Sequence, residues 1–428
     1  MLYRRIASLS ARWKYPLWIL AALISIGMIG YRLHEAYSGF NLDLHVFRDA
    51  GIAFKNNATL YGPEFRTFTS FPFIYPPFAA LLFYPLAFTS GPPMQLMWAG
   101  ATLLSIFLIL VMVAKRLQMT RPWLVAFLLM GVAMAIDPLR RDFIYGQIDV
   151  FLALFVVADV LGFLPKKLRG LGIGIAAGIK ITPAAFALLF LVRGQWGNVV
   201  KSAAWFFVTA LLGHLLRPKD SVYFWTKQVL DEDRAGRPTF ESNQAMSGVL
   251  SRFGLSGEPL ELTIKVLFVF GVITAIYLAW KFTRDGNHVT ALFMVGMAAM
   301  IFGPYSVGNH WAIITAGVPL LLVAELRPFL AGLAVWLAHA IAPYRIFPAD
   351  GYQDVPIHIA AWGSLQGEVS FLFYMLVLFT ALNDKLPSES TLRPLEAPAD
   401  STSVEPLRPA PDASSQPQHQ TLPQATRG

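Results

Sequence analysis

Long apolar runs recur along the chain, separated by short polar stretches. Crossing about 30 Å of hydrocarbon takes roughly 17–25 residues, and fewer where a helix is partly buried in protein. On that measure the pattern predicts about ten helical spans, near residues 16–32, 94–114, 122–137, 148–164, 200–216, 263–281, 288–303, 310–325, 328–343 and 361–382. The expected fold is an all-α integral membrane bundle. The first run follows Arg4, Arg5, Arg12 and Lys14. No small-residue cleavage site comes after it, so it reads as an uncleaved first span.

Basic clusters orient the spans. Lys115, Arg116 and Arg121 lie together, as do Lys166, Lys167 and Arg169, and then Arg193 and Lys201. The positive-inside tendency puts these loops and both termini in the cytoplasm of a multi-pass plasma-membrane protein. Residues 170–192 have the length of one span but basic flanks at both ends. They hold Gly170, Gly172, Gly174, Gly178 and Pro183, residues that interrupt a helix, together with Lys180. A hairpin of two half-helices meeting near Lys180 keeps both flanks on one side, and broken backbone at depth is tolerated where protein covers it. With that hairpin, loops 33–93, 138–147, 217–262, 304–309 and 344–360 fall outside the cytoplasm, and they hold most of the unusual polar residues. One unit, 1–383, is therefore expected to span the membrane. The tail 384–428, rich in Pro, Ser, Gln and Thr, is expected to be disordered and cytoplasmic. No internal repeat of the transporter kind is visible.

Composition agrees with lipid as the solvent: 55% of the 428 residues are hydrophobic and 14% charged, against roughly 25% charged in soluble proteins. The absence of cysteine excludes disulfides, thiolate metal sites and cysteine nucleophiles. The net charge of +8 sits in the orienting clusters and implies no nucleic-acid partner. P-loop, dinucleotide, HExxH and nucleophile-elbow motifs are all missing.

Six polar clusters remain. Asp43 and Asp49 lie in NLDLHVFRDAG (41–51) just past the first span, as a site for acid chemistry or as ordinary loop acids. Tyr75 belongs to FIYPPFAALLFYPLAF (73–88), which is too short to span and suits an interfacial shelf for a lipid chain, or plain packing. Arg140 and Arg141 in DPLRRDFIYGQIDV (137–150) suit a phosphate by their forked donors, or pair internally with Asp137 and Asp142. Lys180 lies in GIAAGIKITPAAF (174–186). Asn243 and Gln244, in NQAMSGVLSR (243–252), suit sugar hydroxyls, with helix capping as the alternative reading for Asn243. Asn309 and His310 precede Trp311 in GPYSVGNHW (303–311), at a site or as an interfacial anchor.

In this order the six motifs resemble glycosyltransferase family 87 of the GT-C superfamily, over about residues 35–345. These are membrane mannosyltransferases that use polyprenyl-phosphate-mannose, among them mycobacterial and corynebacterial enzymes of phosphatidylinositol mannoside, lipomannan and lipoarabinomannan synthesis. The combination of YPPF, YGQI, GIKITP and NQ is specific to the group. The resemblance implies a GT-C helical bundle with an outer active site and Asp43 as catalytic base. It implies inverting transfer of mannose from the β-linked lipid phosphate to a mannosylated lipid or lipoglycan, in an α-linkage and by preference α-1,2. Arg140, Arg141, Lys180 and His310 are candidates for holding the donor phosphate. Asp49, Tyr75, Gln147, Asn243, Gln244 and Asn309 are candidates for the sugar or acceptor. The scheme calls for no metal or cofactor. Two departures stand out: the family histidine before His310 is Asn309 here, and the usual Asn after GQI is Asp149. A polyprenyl-phosphate-arabinose donor, or a non-enzymatic transporter of lipid-linked sugar, are the rival readings.

Overall fold

A computed structural model of the chain describes residues 11–65, 67–231, 236, 238–346 and 356–383. These fall in one compact unit, Met1–Arg393, and are helical with no strand among them. The tail from 384 and the arginines at 4 and 5 lie outside the described residues.

The helices are, in order, α1 Ala11–Ser38, α2 Leu42–Lys55, α3 Pro77–Phe83, α4 Gly91–Arg116, α5 Pro122–Met134, α6 Asp137–Ile144, α7 Asp149–Val160, α8 Leu171–Ile179 and α9 Leu188–Val192. They continue with α10 Trp196–Leu216, α11 Pro218–Thr226, α12 Met246–Arg252, α13 Gly257–Arg284, α14 His288–Phe302, α15 Val318–Val323, α16 Leu326–Ile341 and α17 Ile357–Leu382. Six of them (α1, α4, α10, α13, α16 continued through the short helical turn to Arg345, and α17) are long and apolar enough to cross a membrane, and α5 with α6 makes a seventh if that pair, bent by 84°, counts as one. The chain is a multi-pass membrane protein. The other expected spans fall on shorter elements: α7 has 12 residues, α14 has 15, and 310–325 is a 3-10 segment, Gly308–Gly317, leading into α15. These elements are largely buried by their neighbours. A helix apolar on every face belongs inside such a bundle, and protein rather than lipid then sets its length.

Small residues let the backbones approach closely. At Gly131 of α5 an added Cβ would stand 2.8 Å from Ile24 Cγ2 of α1, and Ser25 Oγ accepts the Gly131 N–H at 3.0 Å. Such crossings replace the hydrophobic drive that lipid removes.

The glycines at 174 and 178 do not interrupt a helix as the sequence pattern suggests, whereas Gly170, left-handed at φ +95°, stands just before α8. Spaced four apart, the three form one stripe on the side that faces α10. A Cβ on Gly174 would lie 2.5 Å from Trp205 Cβ, and one on Gly178 would lie 2.0 Å from Thr209 Oγ1 of α10. Gly170 meets Asn198 and Ser202 near the start of α10, so α8 and α10 run in parallel. The segment between them therefore doubles back, after a break at Lys180, whose backbone is extended (φ −148°, ψ 125°). Gly178→Val is expected to cost about 1–3 kcal/mol by overpacking, read as a lower melting temperature of the purified protein. Adding Thr209→Ala should restore part of the loss; a Gly178→Val protein that melts unchanged would contradict the close crossing.

Candidate active site

One end of the bundle gathers the polar motifs. Asn41 turns the chain between α1 and α2 in the left-handed region (φ 49°), which asparagine tolerates better than most residues. Its amide holds the turn through Nδ2 to the Ala36 carbonyl at 2.7 Å. The start of α2 then lies against the end of α6: the Asp43 N–H donates to the Tyr145 carbonyl at 2.9 Å. Gly146 makes that contact possible. Its φ is +70°, and a Cβ there would stand 2.5 Å from Leu44 Cβ. The glycine of the YGQI motif is thus what brings Asp43 beside Gln147, whose side chain hydrogen-bonds the carboxylate.

Asp43 is only partly exposed. Burial pushes its carboxyl up to about 7, helped by Asp149 and opposed by Lys180, Gln147 and Arg141. Asp149 opens α7 and is buried. Lys180 Nζ lies 2.7 Å from its Oδ1, and Asn309 Nδ2 donates to its Oδ2 at 2.7 Å. The two departures from the family pattern are therefore in direct contact: an acid stands opposite an amide that can only donate to it through Nδ2. His310 lies within electrostatic reach of Asp149, Lys180 and Arg141, and its ring is hydrogen-bonded to the Tyr305 backbone. The Tyr75 phenol is buried facing the charges of Asp149, Asp43 and Asp142.

Arg141 reaches the same site from the other side. Its Nε donates to Asp137 Oδ2 at 3.1 Å and to the Tyr344 hydroxyl at 2.7 Å, and its guanidinium lies over the Tyr145 and Tyr344 rings. Among the described residues its Nη atoms carry no hydrogen bond, so the outer face of the fork is open to an anion. Gly308 gives it room, since a Cβ there would stand 2.7 Å from Arg141 Cδ.

Other expected site residues lie elsewhere or are already engaged. Arg140 pairs with Glu35 of α1 at 3.3 Å and is not among the groups that bear on Asp43. Asp49, more than a turn further along α2, accepts the Phe68 N–H at 2.7 Å and so pins the 67–71 loop. Asn243 and Gln244 are buried and saturated. Asn243 donates to Ser247 Oγ and the Pro238 carbonyl and accepts from the Ser306 and Ala245 N–H groups. Gln244 bonds Gly363 and Gly367 of α17. Neither amide is left for a sugar hydroxyl, and they act instead as a clamp on the segment that carries Asn309 and His310.

The Arg–Asp network also differs from the expected one. Asp137 takes Arg141, Arg345 and Tyr344, with Arg140 at 4.0 Å, whereas Asp142 pairs with neither arginine. It is fully buried, both of its oxygens lack a partner among the described residues, and it faces Asp149, Lys180 and Asp43. Gln147 Oε1 is likewise buried without a donor. Sequence reasoning placed Asp142 only as a counter-ion. Its spacing of seven residues from Asp149 was the available clue.

A family model for glycosyltransferase family 87 matches residues 73–304, more than half of the chain. The chain belongs to that family. This family 87 glycosyltransferase is 31% identical over 330 residues to the polyprenol-phosphate-mannose-dependent α-(1-2)-phosphatidylinositol mannoside mannosyltransferase of Mycolicibacterium smegmatis, covering 71% of this chain and 74% of that one. The protein of the same description in Mycobacterium tuberculosis is 26% identical over 383 residues, 85% and 88% of the two chains. A Mycolicibacterium smegmatis phosphatidylinositol pentamannoside mannosyltransferase is 30% identical over 301 residues, 68% and 73% of the two chains. No solved structure matches the chain significantly. In this glycosyltransferase Asp43 and His310 lie outside the matched stretch, at its two flanks, and the fold returns both to the centre of the site.

Proposed function

We propose that this glycosyltransferase moves mannose from polyprenyl-phosphate-mannose to a mannosylated phosphatidylinositol lipid or related lipoglycan, in an α-1,2 linkage, on the extracytoplasmic face. The observation that carries the reading is the meeting of Asp43, poised near neutral pH, with the cations Lys180 and Arg141, beside the His310 imidazole. The donor and linkage named for the relatives support it. Orientation rests on the basic loops 115–121 and 161–169 at the opposite end. The break at Lys180 would then be a re-entrant hairpin that delivers the lysine to the site.

Chemically, the acceptor hydroxyl oxygen attacks the anomeric carbon as the bond from that carbon to the phosphate oxygen breaks. Asp43 takes the hydroxyl proton as the new bond forms. The polyprenyl phosphate departs with the electron pair, and the open fork of Arg141 offsets its growing charge. One displacement converts a β-linked donor into an α-linked product. Lys180 is tied to Asp149 and sets the local field rather than releasing its charge. Arg140 and Asp49 have positioning roles in α1 contact and loop anchorage.

The deciding experiment supplies the purified protein with labelled polyprenyl-phosphate-mannose or polyprenyl-phosphate-arabinose and phosphatidylinositol mannoside acceptors. Label is expected in an α-1,2-linked product from the mannose donor. Transfer from the arabinose donor alone, or donor binding without any transfer, would sink the proposal. The pH profile offers a second check. A base must be ionised to accept a proton, and Asp43 titrates at about 7. Below that value the rate constant kcat/KM should fall about tenfold per pH unit, and above it level off. A profile flat from pH 5 to 8, roughly the range in which such a base titrates, would exclude Asp43 as the base.

A further inference from the structure

The end of the bundle opposite Asp43 carries a second convergence of charge. Arg116 closes α4, Arg169 precedes Gly170 at the start of α8, and Arg193 follows α9. Arg116 and Arg169 both act electrostatically on Arg193, and Arg116 and Arg193 both act on His288 at the start of α14. Four helix ends thus aim cationic or donor groups at one place.

Arg169, Arg193 and His288 are half-buried, unlike the exposed Lys166 and Lys167. Arg193 spends Nη1 on the Val160 carbonyl at 2.6 Å. Among the described residues its Nε and Nη2 are buried with no acceptor, and Arg169 Nε, His288 Nδ1 and Thr283 Oγ1 are buried with no partner. The carboxylates in the neighbourhood are taken. Asp159, within reach of Arg169, is held by the N–H groups of Gly170 and Ile173 at 2.8–3.0 Å, and Asp285 pairs with Lys281 at 3.2 Å. Desolvated donors without acceptors and like charges without a counter-ion are both unfavourable, and one ligand would correct both.

We propose that Arg193, Arg169 and Arg116 form a binding site for the phosphate of an anionic phospholipid headgroup. Guanidinium forks match phosphate oxygens two at a time. The surroundings select lipid over a soluble anion: Trp123, Trp196 and Trp280 are exposed on helices at this same end, two of them under cations, Lys115 and Arg284. Exposed tryptophans mark the headgroup level of a bilayer, so the phosphate that meets these arginines belongs to the membrane. The site lies away from the transfer chemistry, and the inference does not depend on which sugar is moved.

The test uses the full chain in phosphatidylcholine nanodiscs, titrated with phosphatidylglycerol, with the retained lipid counted by native mass spectrometry. Wild type is expected to retain one phosphatidylglycerol. At about fivefold per cation removed from a lipid surface, Arg169→Gln/Arg193→Gln should bind it roughly twentyfold more weakly and Arg116→Gln about fivefold more weakly. Arg116 is exposed, so its variant separates lost binding from a damaged fold, and melting temperatures check the double variant. Lys166→Gln/Lys167→Gln should leave the retained lipid in place. Equal retention by wild type and the arginine variants, or equal loss in the lysine variant, overturns the site. Inorganic phosphate that displaces phosphatidylglycerol at equal concentration and raises the melting temperature as much would assign it to a soluble phosphate compound instead.

Discussion

Asp43→Ala is expected to lower mannose transfer by about 10²–10⁴-fold, the usual contribution of a positioned base, while leaving donor binding and folding intact. The side chain is partly exposed and Gln147 is its hydrogen-bond partner among the described residues, so its removal breaks no ion pair. Asp43→Asn keeps the shape and the contact with Gln147 yet cannot accept a proton. Near-normal turnover by a folded Asp43→Asn protein would rule out the base, and equal loss in both variants would isolate proton transfer as what was lost. Asp142 sharpens the comparison. It is another carboxyl within electrostatic reach of Asp43, and residual activity in Asp43→Ala that vanishes on adding Asp142→Asn would identify it as the substitute acceptor.

The second large effect concerns the pair of Lys180 and Asp149. Lys180→Met leaves a buried carboxylate with one amide donor, Asn309, as its remaining partner. Stranding such a charge costs about 3–5 kcal/mol, and the melting temperature should fall accordingly. Lys180→Met/Asp149→Asn removes the stranded charge and should regain most of that stability. Activity should stay low in both, because the double variant still lacks the cation that bears on Asp43. Recovery of activity together with stability would make Lys180 a purely structural partner of Asp149. A melting temperature unchanged by Lys180→Met alone would mean that the ion pair contributes nothing.

Much of the molecule could be read from the chain because lipid leaves so few options. Backbone in hydrocarbon must bond itself, so apolar length alone forecast a helical membrane bundle, and each expected span coincides with a helix or helical segment. The order of motifs carried the family, and Asp43, Gln147, Lys180, Asn309 and His310 do converge. What failed failed for identifiable reasons. Whether Gly174 and Gly178 break a helix or line it depends on a partner, α10, that only packing supplies, whereas Gly170 does stand at a helix boundary. Asn243 and Gln244 are polar in any reading, but their saturation by α17 and by Ser306 joins segments more than 60 positions apart.

The sequence by itself determined the class of solvent, the family and the inventory of chemical groups, since each follows from local composition and ordered motifs. Tertiary structure alone decided how the charges pair. Arg140 and Arg141 are adjacent in sequence yet differ in their nearest partners: Arg140 lies closest to Glu35 of α1, with Asp137 only at 4.0 Å, and Arg141 joins the Asp137–Tyr344 cluster. A helix turns about 100° per residue, so neighbours point apart. The same geometry gathers Arg140, Arg141, Arg345 and Tyr344 around Asp137, leaves Asp142 without a partner among the described residues, and brings Lys180 to Asp149 across 31 residues. Long-range contacts of this kind have no signature in residue spacing, because burial and direction, not identity, determine which charges meet.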